Sequence, residues 1–118
     1  MATFAMAMLV SADLPRSRDF YRDVLELKVR FDTPEWVDFD LGSGAALGLH
    51  PPTDRVHVQP GSTQIGFEVP DVDAFIATAR AKGVTVAMEP ADEDFGRLAL
   101  IVDPDGYTVQ VYTPKRWG

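Results

Sequence analysis

The chain has 118 residues, enough for one domain, and its 46% hydrophobic and 25% charged residues are typical of a globular fold. It contains no cysteine, which excludes disulfides, iron–sulfur clusters, thiolate zinc sites and cysteine nucleophiles. Its 18 acidic and 11 basic residues give a net charge of −7, which would repel a polyphosphate, so nucleic acid is not an expected partner.

The first half of the chain predicts one strand, one helix and three further strands. Residues 3–10 are apolar and predict a strand, and Asp13 is a typical helix N-cap. This opening segment lacks a cationic leader and is too short to span a bilayer, so we expect a cytoplasmic protein without membrane contact. Apolar side chains then recur at helical spacing from residue 14 to residue 25. Three β-like segments follow, at residues 27–31, 36–41 and 45–50.

The second half repeats this pattern after a proline-containing linker. Residues 51–61 contain three prolines and no helical period. A strand at 62–69 precedes a helix that Asp71 caps and that ends at Gly83. Strands are predicted at 84–88, 97–102 and 107–112, and the acidic segment 89–94 between the first two predicts a solvated loop.

The two halves therefore form an internal repeat. The helix caps Asp13 and Asp71 are offset by 58 positions, and the last strands of the two halves match at an offset of 62. The predicted fold is α+β, with two tandem β-α-β-β-β modules whose curved mixed sheets form a concave cavity. We expect one domain over residues 1–118, with module 1 at about 1–50, the linker at about 51–61 and module 2 at about 62–114.

Strand alternation indicates which side chains line that cavity. In each strand one set of side chains packs against the helix, and the other set faces away from it. The second set is unusually polar, which favours a wet binding cavity over a dry core, since burying unpaired polar groups is costly. Trp36 and Phe39 are left open between the core and the cavity. The candidate ligand-binding residues are Met6, Met8, Trp36, His50, Gln64, Glu68, Gln110 and Tyr112.

Several motifs within this repeat resemble one family. They are Asp-Leu-Pro-Arg-Ser-Arg-Asp-Phe-Tyr at 13–21, Gly-Phe-Glu-Val-Pro-Asp-Val-Asp at 66–73, Phe-Gly-Arg at 95–97 and Asp-Pro-Asp-Gly at 103–106. In this order and spacing the chain resembles the vicinal oxygen chelate superfamily over nearly its whole length. That group contains glyoxalase I, extradiol dioxygenases, fosfomycin-modifying enzymes and bleomycin-resistance proteins.

The resemblance also implies where a divalent metal would bind. Enzymes of this family hold it with inward side chains of the first and last strands of each module. Carried over by position, those sites are Met6, Gly48, Gln64 and Gln110. A thioether, a missing side chain and two neutral amides are a poor set of ligands, so neither a metal nor any other cofactor is expected. A shift of two residues would instead bring in His50, Met8 or Glu68.

Three hypotheses of function remain open at this point. The leading one is a metal-free small-molecule binding or resistance protein of the glyoxalase/bleomycin resistance type, with a planar or cationic ligand. The alternative is a metal-dependent lyase, isomerase or dioxygenase of the glyoxalase class with shifted ligands. The third is a structural or regulatory module without a ligand. Because proteins of this length that the chain resembles usually build their sites from two copies, the resemblance also implies a homodimer.

Overall fold

The computed structural model describes residues 1–115 and confirms the α+β architecture of two β-α-β-β-β modules. The chain divides into two compact units, Met1–Gln59 (module 1) and Pro60–Gly118 (module 2). Module 1 consists of β1 (Met6–Val10), α1 (Leu14–Asp23), β2 (Lys28–Asp32), β3 (Val37–Asp40) and β4 (Ala46–His50). Module 2 consists of β5 (Gln64–Glu68), α2 (Val72–Ala81), β6 (Thr85–Glu93), β7 (Gly96–Val102) and β8 (Thr108–Pro114).

Each module contains one curved, unclosed four-stranded mixed sheet. The strand order is β1-β4-β3-β2 in module 1 and β5-β8-β7-β6 in module 2. The first and last strands of each module pair in parallel, and all other neighbours are antiparallel. Within the described residues, no helix has the length and apolar character needed to cross a membrane.

The two helices begin as the sequence predicts. The Asp13 carboxylate accepts a hydrogen bond from the Arg16 N–H at 3.1 Å, and Asp71 accepts one from Ala74 at the same distance. Each cap satisfies one of the N–H groups that the first helical turn leaves unpaired. Gly83 follows α2 with a φ of +80°, the left-handed conformation that favours glycine after a helix.

The core of each module lies between its helix and one face of its sheet. In module 1 the Tyr21 ring contacts Phe39, with a centroid distance of 6.0 Å, and both side chains are fully buried. Leu47 and Leu49 on β4 are buried with them. In module 2, Ile76 and Ala79 on α2 are buried, as are four sheet residues: Ala99, Ile101, Val109 and Val111.

Two strands, β1 and β6, differ from their predicted extent by three or more residues at one end. β1 begins only at Met6, because Ala5 is the first residue whose carbonyl accepts a hydrogen bond from β4. β6 runs to Glu93, so the prediction of a loop over 89–94 was wrong for most of that segment. The register shifts between Met88 and Ala91, and Pro90, which has no N–H to donate, lies in this irregular stretch. Because proline is not expected inside a strand, the sequence did not predict that β6 continues past Pro90.

Candidate ligand-binding site

One face of the module 1 sheet is turned away from α1. The contact between Tyr21 and Phe39 shows that Phe39 points toward the helix. Phe39 is opposite Leu47 in the β3–β4 ladder, and neighbouring positions along a strand alternate between faces. Asp38, Gly48 and Met8, which are register partners of one another, therefore lie on the face away from the helix. We call this the outer face of module 1.

Trp36 lies over the glycine of this outer face. A β-carbon at position 48 would be 2.9 Å from both Cζ2 and Cη2 of the indole and 3.4 Å from Cγ of Met8. Such a short approach is possible only because Gly48 has no side chain. The structure thus settles a question that the sequence left open: Phe39 belongs to the core, and Trp36 belongs to the outer face.

His50 completes an aromatic patch beside Trp36. Its imidazole ring is parallel to the indole within 5°, with centroids 6.3 Å apart. The His50 Nδ1 atom is 2.8 Å from the Pro51 carbonyl oxygen, which can only accept, so Nδ1 carries the hydrogen. In the neutral ring Nε2 is then an acceptor, and within residues 1–115 no group is hydrogen-bonded to it. The patch therefore offers ring faces together with one acceptor atom.

The methionines add apolar, polarisable surface to the patch. Met8 is 55% exposed and lies opposite Gly48 in the ladder. Met6, two residues before Met8 on β1, is half-buried and lies opposite Ala46. Of the four predicted site residues in module 1, three are thus gathered around Gly48: Met8, Trp36 and His50.

Two polar residues of the outer face were missed by the sequence analysis. Asp38 is buried, and it forms a bidentate ion pair with Arg30, from Nε to Oδ1 at 2.9 Å and from Nη2 to Oδ2 at 2.8 Å. The hydrogen bonds from Arg30, and a further one from the Trp36 indole N–H at 2.8 Å, hold the pKa of Asp38 below its ordinary value. The sequence contained a signal for Asp38, because this aspartate lies between the apolar residues Val37 and Phe39 of one predicted strand.

Module 2 presents four predicted site residues on the corresponding face of its own sheet. Gln64 and Glu68 are exposed, whereas Gln110 and Tyr112 are half-buried. Glu68 and Tyr112 are register partners, and the Gln110 side chain passes beside Gly66, which lacks a side chain. Gln64 lies at the other end of the β5–β8 ladder, opposite Thr108.

A fifth residue, the aromatic Phe95, joins this group although the sequence analysis did not include it. The ring of Phe95, just before β7, meets Tyr112 edge to face at a centroid distance of 6.2 Å. Phe95 is held there because Lys115 donates its backbone N–H to the Phe95 carbonyl at 2.8 Å. The Phe-Gly-Arg motif at 95–97 contributed to the family resemblance, but it did not predict that Phe95 lies beside Tyr112.

The family's metal positions do not fit a divalent cation in this chain. Met6 offers a thioether, Gln64 and Gln110 offer neutral amides, and the space above Gly48 holds the indole of Trp36. Hard divalent cations prefer carboxylate oxygens, and zinc prefers imidazole or thiolate ligands. Nowhere in residues 1–115 do three or more His, Asp or Glu side chains converge as a metal cluster would require.

A surface depression of module 2 lies away from these residues. It has a volume of about 560 Å³ and lies between the start of α2 and the β6–β7 hairpin. Arg97 crosses it and forms ion pairs with Asp73 at 2.7 Å and with Asp92 at 3.0 Å. Because its charged groups pair with one another and none of the predicted site residues lines it, we do not place the site there.

Comparison with known proteins places this geometry in a family. The model of the Glyoxalase/Bleomycin resistance protein/Dioxygenase superfamily matches residues 3–111. The phenazine antibiotic resistance protein EhpR of Enterobacter agglomerans is 32% identical, over 90% of this chain and 88% of its own. A lactoylglutathione lyase from Arabidopsis thaliana is 30% identical over 84% of this chain, which spans only 40% of that enzyme.

Solved structures share this fold. The antibiotic binding protein TnmS3 from Streptomyces sp. CB03234 superimposes with a TM-score of 0.82, 25% sequence identity and 98% coverage of both chains. A glyoxalase-related enzyme from Fulvimarina pelagi shares the fold, with a TM-score of 0.85 at 20% identity. The chain belongs to the Glyoxalase/Bleomycin resistance protein/Dioxygenase superfamily.

Proposed function

We propose that this protein binds a planar small molecule without a metal and acts as a binding or resistance protein. The observation that carries the proposal is the position of Trp36, whose indole lies against Gly48 where a metal enzyme of the family would place a ligand side chain. With an aromatic ring at this position instead of a metal-coordinating side chain, the protein would hold its ligand by ring stacking and not through a metal ion. Aromatic rings favour offset-stacked or edge-to-face contact with other rings, so a planar ring system is the matching ligand.

The relatives support the same class of ligand. One is named for resistance to a phenazine antibiotic, and one solved relative is named as an antibiotic binding protein. Phenazines are flat, fused heteroaromatic rings, the shape that a surface of Trp36, His50 and Met8 would accept. We therefore propose a ligand of this chemistry.

The remaining predicted residues complete the proposal. On module 2, Gln64, Glu68, Gln110 and Tyr112 would supply hydrogen bonds, and the net charge of −7 would attract a cationic ligand. We further propose that the protein works as a homodimer, for which light scattering should give twice the mass of one chain. A mass of one chain at micromolar concentration would contradict that proposal.

Calorimetric titration with phenazine tests the binding function. We expect saturable binding by the wild type and an affinity about tenfold lower in Trp36→Leu, because a stacked ring pair is lost. Phe75→Leu is the matched control, since it removes a ring from helix α2 and should leave the affinity unchanged. If Trp36→Leu binds phenazine as tightly as the wild type, the aromatic patch is not the site.

A metal and activity test separates this function from that of the lyase relatives. Protein loaded with manganese, nickel, zinc or iron and then desalted should retain well under one equivalent, because the family positions supply no anionic ligand. A lyase assay with a hemithioacetal substrate should stay at background. Stoichiometric metal that disappears in Gln64→Ala would overturn the metal-free proposal and restore the enzyme hypothesis.

A further inference from the structure

The ion pair of Arg30 and Asp38 occupies an unusual place for charged residues. The Asp38 side chain is only 2% exposed, whereas that of Arg30 is 40% exposed. Within the described residues no buried polar side-chain atom lacks a hydrogen-bond partner, so the Asp38 carboxylate is fully satisfied. Its three side-chain hydrogen bonds come from Arg30, twice, and from the Trp36 indole.

The fold itself does not require this pair. In module 2 the position that corresponds to Asp38 in the sheet register is Leu100, opposite Gln110 as Asp38 is opposite Gly48. The same topology therefore forms with an aliphatic residue there. A buried ion pair adds little stability compared with well-packed apolar residues, so its presence in module 1 points to another role.

That role is visible in the contacts of Trp36. At one edge, the indole N–H is anchored to Oδ2 of Asp38 at 2.8 Å. Next to it on the ring, Cζ2 and Cη2 rest against Gly48, and the ring is parallel to His50. The Arg30 fork fixes the carboxylate in turn through two hydrogen bonds, a geometry that lysine could not reproduce.

We infer that Arg30 and Asp38 are positioning residues that hold the Trp36 indole in its stacking orientation before the ligand arrives. The inference rests on the proposed binding function and deepens it. Because the indole N–H is donated to Asp38, the ligand meets Trp36 through the ring face and not through a hydrogen bond. A ring fixed in advance loses less conformational entropy on binding, which raises affinity.

The first test needs no ligand. In a Trp117→Phe background the indole N–H resonance comes from Trp36 alone, and Trp36 dominates the long-wavelength edge of the near-ultraviolet circular dichroism, where tyrosine and phenylalanine absorb little. Asp38→Asn should move the resonance and weaken the dichroism while the chain stays folded. Asp40→Asn removes the same charge two residues along the strand, without an indole contact, and should change neither signal. Unchanged Trp36 signals in folded Asp38→Asn protein would overturn the inference.

The second test is a double-mutant cycle on phenazine affinity. Asp38→Asn should weaken binding about threefold to tenfold, the scale of one lost contact to a charged group. In the Trp36→Leu background the same change should have no effect, because Asp38 acts only through the indole. Equal losses in both backgrounds, or no loss in either, would refute the positioning role.

The remaining outcomes are also decisive. If Asp38→Asn does not fold, Arg30→Lys is the second variant. Lysine keeps the positive charge at a partly exposed position but cannot form the bidentate hydrogen bonds to Asp38. Arg30→Lys should weaken binding in the wild type and have no effect in the Trp36→Leu background. If the wild type binds no phenazine, the proposed function fails for this ligand class, whereas the indole signals still decide whether Asp38 holds Trp36.

Discussion

The two modules share one topology but fill it with different side chains. On the helix side, module 1 packs the rings of Tyr21 and Phe39 against each other, whereas the corresponding positions of module 2 hold Ala79 and Ile101. All four residues are buried. The fold thus requires apolar residues at these positions but does not fix their size, as long as the helix and the sheet remain closely packed.

The faces turned away from the helices differ in chemistry as well as in size. Asp38 and Gly48 of module 1 correspond in register to Leu100 and Gln110 of module 2, and Trp36, two residues before Asp38, matches Leu98, two residues before Leu100. In module 1 the large side chain, Trp36, directly precedes β3, and the glycine, Gly48, is on β4. In module 2 the glycine is on β5, beside Gln110. Side chains free of helix packing can diverge, and this divergence gives module 1 an aromatic surface and module 2 a hydrogen-bonding one.

The largest effect should come from removing the ring that closes the core of module 1. Phe39→Ala leaves a cavity beside Tyr21 at a fully buried position, and we expect a loss of about 3–5 kcal/mol in the free energy of unfolding. Denaturant unfolding measures this loss. Phe31→Ala on the adjacent strand, where the ring is 55% exposed, is the control and should change stability by no more than about 0.5 kcal/mol. If Phe39→Ala and Phe31→Ala lowered the free energy of unfolding equally, Phe39 would not belong to the core between β3 and α1.

The fold was predictable because its signals are local and repeated. Asp13 and Asp71 cap helices, and Gly83 ends one in the left-handed conformation that the sequence predicted. Strand positions followed from alternation and from an internal repeat. The end of β6 was not predictable in this way, since the tolerance of Pro90 depends on a register shift set by the neighbouring strand.

The second prediction concerns the buried carboxylate of Asp38, whose corresponding position in module 2 holds Leu100. At neutral pH, Asp38→Asn should cost about 1.5–3 kcal/mol of unfolding free energy, since charged hydrogen bonds to Arg30 are lost. Because the Arg30 guanidinium lowers the pKa of Asp38 in the folded state, the carboxylate stabilises the fold fully above its unfolded-state pKa of about 3.9. That contribution is lost as the pH falls through the lower, folded-state value.

The stability difference between wild type and Asp38→Asn should therefore shrink on acidification below about pH 4. Urea unfolding of both proteins from pH 7 to pH 2 measures it. A difference that stays constant over this range would show that Asp38 is not held ionised by Arg30.

The third prediction compares the glycines at which the two modules differ. A methyl group at position 48 would be 2.9 Å from the indole of Trp36, whereas at position 66 the nearest atom, Nε2 of Gln110, is 3.8 Å away. Gly48→Ala should cost about 1–2 kcal/mol of stability, because the ring must shift. Gly66→Ala should be neutral or slightly stabilising, since it only restricts the unfolded chain.

Trp36→Leu supplies the matching double mutant, because leucine is the residue at the corresponding position of module 2. In that background Gly48→Ala should cost nothing, which thermal or denaturant unfolding of the four proteins would show. If the cost of Gly48→Ala is the same with and without the indole, Trp36 does not lie over Gly48.

The site was predictable in part, and the missing part has a physical reason. Alternation placed Met8 and His50 on the outer face correctly because each belongs to a regular strand. Trp36 was left open because it precedes β3, where no alternation applies. Arg30 was missed because its contact with Asp38 depends on the register between β2 and β3, which the sequence pattern does not specify.

The smallest stability effects should come from the polar residues of module 2 that lie outside its core. Glu68→Gln and Gln110→Ala should each change the free energy of unfolding by no more than about 0.5 kcal/mol, because neither side chain belongs to the buried set on β5 and β8. Their effect on ligand affinity should be larger than their effect on folding: about 1 kcal/mol each, the scale of one hydrogen bond, or roughly fivefold in Kd. Thermal unfolding and phenazine titration of the same samples separate the two quantities. Val111→Ala, on the neighbouring but fully buried position, is the contrast and should lower stability well beyond either polar variant. If Gln110→Ala destabilises the protein as much as Val111→Ala does, the face of β8 that carries Gln110 and Tyr112 is part of the core and not a binding surface.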